Sequence, residues 1–355
     1  MEYRVLGRTG LKVSSFVLGT GTFGFWGNNT AKEAAPILDE ALAGGINLID
    51  TADVYSSGES EAILGEILKG RRQDVILATK GGHPMGSGLN QSGNSKYWIK
   101  RAVEDSLRRL QTDYIDLYQL HLPDLNTDIE ETLSVLTDLV SEGKIRYIGT
   151  SNFQAWQVTE AQWTSERKNV ARFVSEQSPY SILNRSIEFD LLAATAKYGM
   201  GVLVWSPLSG GLLTGKYRFG EAVSSNSRAA TFAGNLQSIV DPNREENRSK
   251  FEAIAKLQTL ADEAGLTLPH LAMAFTQAHP SITSAIVGAR TIEQLRETLK
   301  GSDIRLSTDI LDAIDAIVPP GVTLDAMEKG WTPGWLQAEK RRIRSKPRFW
   351  PPSYP

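Results

Sequence analysis

Eight short apolar runs, separated by segments of helical period, constrain the fold of this chain more than any other feature. The runs are "SFVLGTG" (15–21), "INLIDT" (46–51), "DVILATK" (74–80), "YIDLYQLH" (114–121), "IRYIGTS" (145–151), "RFVSEQS" (172–178), "GVLVWSP" (201–207) and "SAIVGA" (284–289). Their continuous hydrophobicity predicts strands buried on both faces, as in a parallel sheet covered by helices. Between them, segments such as "AKEAAPILDEALAGG" and "DIEETLSVLTDLVSEG" place apolar residues at i, i+3, i+4 and i+7 and often stop at glycine. Eight strand-helix units is the count of a (β/α)8 barrel.

Three stretches lie outside that rhythm. Residues 2–14 alternate around Gly7 and Gly10 like a small hairpin. Residues 207–246 form a long Gly/Ser/Asn-rich loop after the seventh strand, and 319–355 form a tail rich in Pro, Trp and Arg. The expectation is an α/β fold, a TIM barrel over residues 1–318. The tail at 319–355 would pack on the barrel, line its mouth or join a subunit interface, with a homo-oligomer left open.

The absence of cysteine excludes disulfides, thiolate metal sites and cysteine nucleophiles. A net charge of -3 from 38 basic and 41 acidic side chains provides no field to draw in nucleic acid or an anionic membrane. From Trp331 onward the tail has six basic residues against one acidic, yet no base-reading module accompanies it. No apolar run approaches the roughly 20 residues of a membrane helix, and the opening residues lack a signal-peptide core. A cytoplasmic protein with a small-molecule partner is expected.

"GTGTFG" (19–24) matches the G-x-G-x-x-G of dinucleotide-binding Rossmann folds, and the next strand ends in Asp50. In that fingerprint the third glycine opens the helix; here "FWGNN" intervenes before a helix start near Thr30. The eight-strand rhythm also leaves no room for a separate substrate domain.

In a parallel barrel the C-terminal strand ends converge on one mouth, so polar residues there carry the chemistry. The second strand ends in Asp50, with Tyr55 five residues on; the third ends in Lys80 and the fourth in His121. A buried ammonium needs a partner, and Asp50 is the candidate. Together the four suit carbonyl reduction. Hydride addition creates an alkoxide that needs a proton; Tyr55 can donate it, with Lys80 lowering the cost of the phenolate and His121 orienting the oxygen. Asp53 in the same stretch reads as turn chemistry. A metal-dependent site from Asp50, Asp53, His83 and His121 is disfavoured, because Lys80 among them would repel the ion.

The chain resembles the aldo-keto reductases, in the branch that includes bacterial enzymes and potassium-channel β-subunits. The matching stretches are "LGTGTFG" (18–24), "GINLIDTADVYSSGESEAILG" (45–65), "LATK" (77–80), "DYIDLYQLHLPD" (113–124), "GKIRYIGTSNF" (143–153), "WSPLSGGLLTGKY" (205–217) and "VGARTIEQLRETL" (287–299). The resemblance implies a barrel that binds NADPH and reduces aldehydes and ketones. Tyr55 would be the general acid/base and Asp50, Lys80 and His121 would complete a tetrad.

A nicotinamide carboxamide needs donors and acceptors, which Ser151, Asn152 and Gln177 can supply. Trp205 is placed to stack on the ring. The loop 206–216, through Ser206, Pro207, Leu208, Gly210, Leu212 and Lys216, has the makings of a pyrophosphate clamp. Gly288, Arg290 and Gln294 at the start of the last helix suit an adenosine phosphate, Arg290 favouring NADPH over NADH. Thr298 stands where the family often has an adenine-contacting Asn. Gly19, Thr20, Gly21 and Asp50 complete the implied cofactor set. On the substrate side, Phe23, Phe25, Trp26, His83 and Trp98 would surround Tyr55. Two alternatives stay open: a sugar or cyclitol dehydrogenase using NADP+ in the oxidative direction, and a non-catalytic NADPH sensor.

Overall fold

The computed structural model describes residues 1–25, 27–221, 240–324 and 331. The expected hairpin forms from β1 (Tyr3–Val5) and β2 (Lys12–Ser14), paired antiparallel. Its turn uses Gly7 at φ 56°. A β-carbon on Gly7 would come within 2.7 Å of the Val174 and Gly199 carbonyl oxygens, so only glycine lets the hairpin seat this closely.

Eight parallel strands then close into a barrel: β3 (Phe16–Gly19), β4 (Leu48–Asp50), β5 (Ile76–Gly81), β6 (Ile115–Leu120), β7 (Ile145–Ser151), β8 (Phe173–Pro179), β9 (Gly201–Trp205) and β10 (Ile282–Val287). They follow in chain order, with β10 paired back onto β3. Each lies within two residues of an expected run.

Between and after the strands come α1 (Ala31–Ala43), α2 (Glu59–Ile67), α3 (Lys96–Leu110), α4 (Ile129–Ser141), α5 (Ala155–Lys168) and α6 (Leu191–Tyr198). Further on lie α7 (Arg248–Glu263), α8 (Leu268–Ala278), α9 (Ile292–Leu299) and α10 (Thr308–Ile317). Several begin where a side chain accepts an otherwise orphaned amide, as Thr30 does for α1, Ser95 for α3, Asp128 for α4 and Thr291 for α9. Each such cap stabilises its helix by about 1 kcal/mol.

The core has two layers. Outward strand residues such as Leu18, Ile49 and Leu77 pack under the helices with Leu38, Leu64 and Val103. Inside the barrel, Val17, Leu48, Ala78, Leu117 and Leu203 pack on Leu6 and Val13 of the hairpin, which plugs the N-terminal end. Residues 319–324 return along the loop after β8: Arg185 N donates to Val322 O at 3.0 Å and Leu324 N to Leu183 O at 2.8 Å. The rest of the expected tail, apart from Trp331, lies outside the described residues.

Candidate active site

Strand side chains alternate faces with a period of two, so the inward plug residues predict what points inward one step nearer the mouth. From Leu48 that step leads to Asp50, from Ala78 to Lys80, from Leu117 to Gln119, and from Leu203 to Trp205. The register sets Gly149 beside Ser175 and Ser151 beside Gln177. An apolar floor thus gives way to a polar layer at the C-terminal end.

Lys80 is fully buried, and Asp50 is 1% exposed. Lys80 Nζ donates to Asp50 Oδ2 at 2.6 Å, to Thr51 O at 2.8 Å and to Tyr55 Oη at 3.1 Å. All three ammonium hydrogens are therefore engaged. Asp50 Oδ1 accepts from Gln119 Nε2 at 3.1 Å and Gln177 Nε2 at 2.9 Å. Burial pushes the Lys80 ammonium down, but the Asp50 carboxylate and Tyr55 outweigh it, so Nζ stays above its ordinary value.

Tyr55 is presented by a costly turn. Ser56 and Ser57 both take left-handed backbone angles, at φ 48° and 56°, followed by Gly58 at 98°. Left-handed geometry costs a non-glycine residue roughly 1–2 kcal/mol. Ser56 Oγ, buried, donates to Phe23 O at 3.2 Å and helps hold it. Burial raises the phenol above its ordinary value, and Lys80 only partly offsets this. The stabilising pull of Lys80 expected from the sequence is present, but burial is larger.

The His121 ring meets the Tyr55 ring edge-on, with centroids 5.9 Å apart, and the His83 ring at 4.4 Å. Burial, then the charge on Lys80, then His83 hold His121 well below its ordinary value, so it is neutral at neutral pH. His83 is lowered too, by burial and Lys80.

Asp53 does not behave as a turn residue. Its amide donates to Lys80 O at 3.0 Å, but its carboxyl is 1% exposed and meets no hydrogen-bond donor. A β-carbon on Gly81 would strike Tyr118 Oη at 2.1 Å and lie 3.3 Å from Asp53 Oδ2, so both groups crowd the bare side of that glycine. Burial and the Glu61 carboxylate push Asp53 up to about 8. Glu61 itself is filled by Thr79 Oγ1 at 2.5 Å and Arg109 Nε at 2.7 Å.

A sequence model of the aldo/keto reductase family matches residues 15–319. The chain belongs to that family. It is 40% identical over 333 residues to the uncharacterised oxidoreductase YrpG of Bacillus subtilis, covering 90% of this chain and 97% of the relative. It is 36% identical over 330 residues to a probable voltage-gated potassium channel subunit beta of Arabidopsis thaliana, covering 90% and 97%. A putative subunit of the same kind from Schizosaccharomyces pombe is 35% identical, with 90% and 93% covered. Family and first relative together set the chain among the oxidoreductases.

The other residues expected in this aldo/keto reductase site fall into three groups. The first group lies at the mouth. Gly21 has its bare side toward Tyr55, where a β-carbon would lie 3.9 Å from Cε2. Thr20 is buried and bridges Ser60 and Asp50 O, while Gly19 lies under Ile286. Asn152 takes φ 63°, and its Nδ2 donates to His121 O and Ser151 Oγ. Its buried Oδ1 has no partner. Ser151 Oγ donates to Gln177 O, and the Gln177 amide hydrogens go to Asp50 and Gln119. Asn152 thus holds a buried acceptor without a partner.

A second group lies along the mouth's rim. Trp205 is half-buried at the end of β9. In the loop after it, Ser206, Ser209, Gly210 and Gly211 all have positive φ. Pro207, Gly210 and Leu212 are buried, Leu208 is partly so, and Lys216 is exposed. Gly288 and Arg290 are exposed before α9; Arg290 N donates to Gln294 Oε1 at 2.9 Å, and Thr298 Oγ1 bonds back to Gln294 O.

The third group departs from expectation. Phe23 is fully buried in the outer core rather than at an open rim, because its amide closes a turn on Thr20 O and carries the ring inward. Trp98, by contrast, is 3% exposed in the first turn of α3 with its buried indole N–H unpartnered. Phe25 is exposed, and Trp26 lies outside the described residues. Sequence reasoning missed Gln119, although the alternation from Leu117 to His121 places it inward. Among the described residues no cluster of His, Asp and Glu could hold a metal ion, and no helix is long and apolar enough to cross a membrane.

Proposed function

We propose that the chain reduces aldehydes or ketones with NADPH and that Tyr55 delivers the proton. The observation that carries this reading is the direction of the bonds at Lys80. Because Nζ donates to Tyr55 Oη, the phenol oxygen is the acceptor there and its own hydrogen is left for the substrate. A raised phenol pKa does not oppose this role, since an alkoxide is a far stronger base than a phenolate and takes the proton as it forms. As charge develops on Tyr55 Oη, an ammonium fixed 3.1 Å away stabilises it without reorganisation. Neutral His121 is suited to hydrogen-bond the carbonyl oxygen and orient it, rather than to supply a proton as an imidazolium.

Bound NADPH would supply the hydride. The residues fit such a group: Asn152 Oδ1 is a buried acceptor without a partner, suited to a carboxamide N–H. Trp205 offers a ring face, and exposed Lys216 in the loop after it offers a cation suited to a pyrophosphate. Arg290 with the start of α9 suits an adenosine phosphate.

The test is Tyr55→Phe assayed on a panel of aldehydes and ketones. Turnover should fall by roughly 10²–10⁴-fold, the usual size of a general-acid contribution, with the NADPH dissociation constant unchanged. Undiminished turnover would sink the mechanism. The channel-subunit names of two relatives favour a second reading, a regulatory NADPH binder. It gains if the wild type binds NADPH and reduces no carbonyl compound, nor oxidises sugars or cyclitols with NADP+.

A further inference from the structure

Glu176 is a fully buried carboxyl group that the mechanism does not use. It sits on β8 between Ser175 and Gln177, so it points away from the barrel interior, toward the helices. In register it lies between Thr150 of β7 and Val202 of β9. Its Oε1 accepts from Ser178 Oγ at 2.7 Å and from Phe153 N at 3.2 Å, and its Oε2 is bonded to Thr150 Oγ1.

Phe153 N belongs to the turn that carries Ser151 and Asn152. Asn152 holds left-handed backbone geometry there, at φ 63°. Its amide is held by Gln177 O at 3.0 Å, and the next amide, Phe153 N, by Glu176 Oε1 at 3.2 Å. Losing the second clamp would orphan a buried N–H and relax an unfavourable backbone conformation at once. The unpartnered Asn152 Oδ1 would then lose its fixed place.

We propose that Glu176 is the positioning residue that fixes the Ser151–Phe153 turn and so sets the affinity of the site for the nicotinamide end of NADPH. The inference rests on the cofactor reading above.

Thr150 Oγ1, Ser178 Oγ and Phe153 N can all donate to the carboxyl and favour its ionised form, whereas full burial without a cation beside it favours the acid, and burial is the larger. Thr150 Oγ1 also lies 3.3 Å from Ser175 O. A proton on Glu176 Oε2 can be donated to Thr150 Oγ1, whose own hydrogen goes on to Ser175 O, so every group in the chain has a partner. Burial raises Glu176 to about 8 against the opposing pull of Thr150, Ser178 and the Phe153 and Asn152 amides. None of these leading influences is a charged side chain. β9 presents Val202 at this level, and the charged residue lining the small cleft beside Ser178 and Phe153 is the carboxylate Asp190. That cleft gives the proton a route to solvent through Ser178. In the deprotonated state the group is a buried anion without a cation beside it, and relief of that cost by movement toward the cleft takes it off Phe153 N.

The experiment measures the NADPH dissociation constant from pH 6.5 to 9.5 for the wild type, Glu176→Gln and Glu176→Leu. The wild type should lose affinity above pH 8, approaching about tenfold per pH unit, the limit for loss of one proton. Glu176→Gln, which keeps an acceptor for Phe153 N and a donor for Thr150, should bind as the wild type does at pH 7 and, with both compared in an Asp53→Asn background that removes the other carboxyl raised to about 8, stay flat through that window. Glu176→Leu should bind at least roughly tenfold more weakly at every pH, with the loss in KM for NADPH exceeding that in kcat. A Glu176→Gln profile that bends like the wild type's, or a Glu176→Leu variant with wild-type affinity, overturns the inference and leaves the cofactor reading standing. Failure of the wild type to bind NADPH overturns both.

Discussion

The two ends of the barrel are each built around a buried carboxylate paired with cations, and they differ in what is left over. At the N-terminal end Asp116 Oδ1 accepts from Arg146 Nη1 at 2.8 Å, and Oδ2 accepts from Arg72 Nη2 at 2.7 Å and Leu77 N at 2.9 Å. Both guanidiniums also lie over the Tyr114 ring, at 4.2 and 3.9 Å. That ring meets both cations through its π face, and its hydroxyl is not enlisted by Asp116. At the mouth, Asp50 holds Lys80 and Lys80 in turn reaches a phenol. The foot spends its charge on closing strands together; the mouth passes it to a group with a transferable proton. Cation and carboxylate alone therefore do not distinguish structure from chemistry, whereas the third partner does.

The largest effect that tests this contrast is expected from Lys80→Met. It strands Asp50 in a site where only Gln119 and Gln177 remain as donors, and removing one member of a buried pair costs about 3–5 kcal/mol. Chemical denaturation should show that loss together with the disappearance of carbonyl reduction. Adding Asp50→Asn should recover most of the stability and none of the turnover. Recovered turnover in the double variant would mean that the ammonium does not serve Tyr55.

At the foot, Asp116→Asn is expected to cost less, about 1.5–3 kcal/mol, the range for a lost hydrogen bond to a charged group. Both guanidiniums keep partial solvent access and the Tyr114 face. Turnover per folded molecule should be unchanged. A matching fall in kcat would break the division between a structural foot and a working mouth.

How much of this was legible in the sequence depends on distance along the chain. Strands, the hairpin and the residues at strand ends follow from local hydrophobic period, so Asp50, Lys80 and His121 fall at one mouth from that period alone. The Lys80 partner followed from the cost of a lone buried ammonium. Gln119 was equally accessible by alternation. Glu61 and Arg109 were not, since nothing in the sequence says that α2 and α3 bring them to Thr79 on β5. Phe23 shows the complementary failure: an aromatic near a strand end can face mouth or core, and only the packing decides. The phenol's shift is of the same kind, because it depends on how deeply the finished fold buries it.

Asp53 offers the subtlest comparison with Asp116, one carboxyl without donors against one fully supplied. Its raised value, about 8 in the fold against an ordinary carboxyl in the unfolded chain, means that folding takes up a proton. Stability from this group is complete below the unfolded value and is lost as pH rises through about 8. Glu176 has the same sign and the same upper limit. His83, His121 and His279 are lowered, so they act oppositely, adding stability as pH rises toward their ordinary value near 6.5. The clean window is therefore from about pH 6.5 to 8, where the two carboxyls should tilt stability downward by about 1.4 kcal/mol per pH unit each. Urea denaturation across that window should show the tilt in the wild type and about half of it in Asp53→Asn. Asp116→Asn should leave the slope untouched while lowering the whole curve. If Asp53→Asn runs parallel to the wild type instead, Asp53 is ionised in the fold and a donor must reach it, which would make the back of the mouth as closed as the foot.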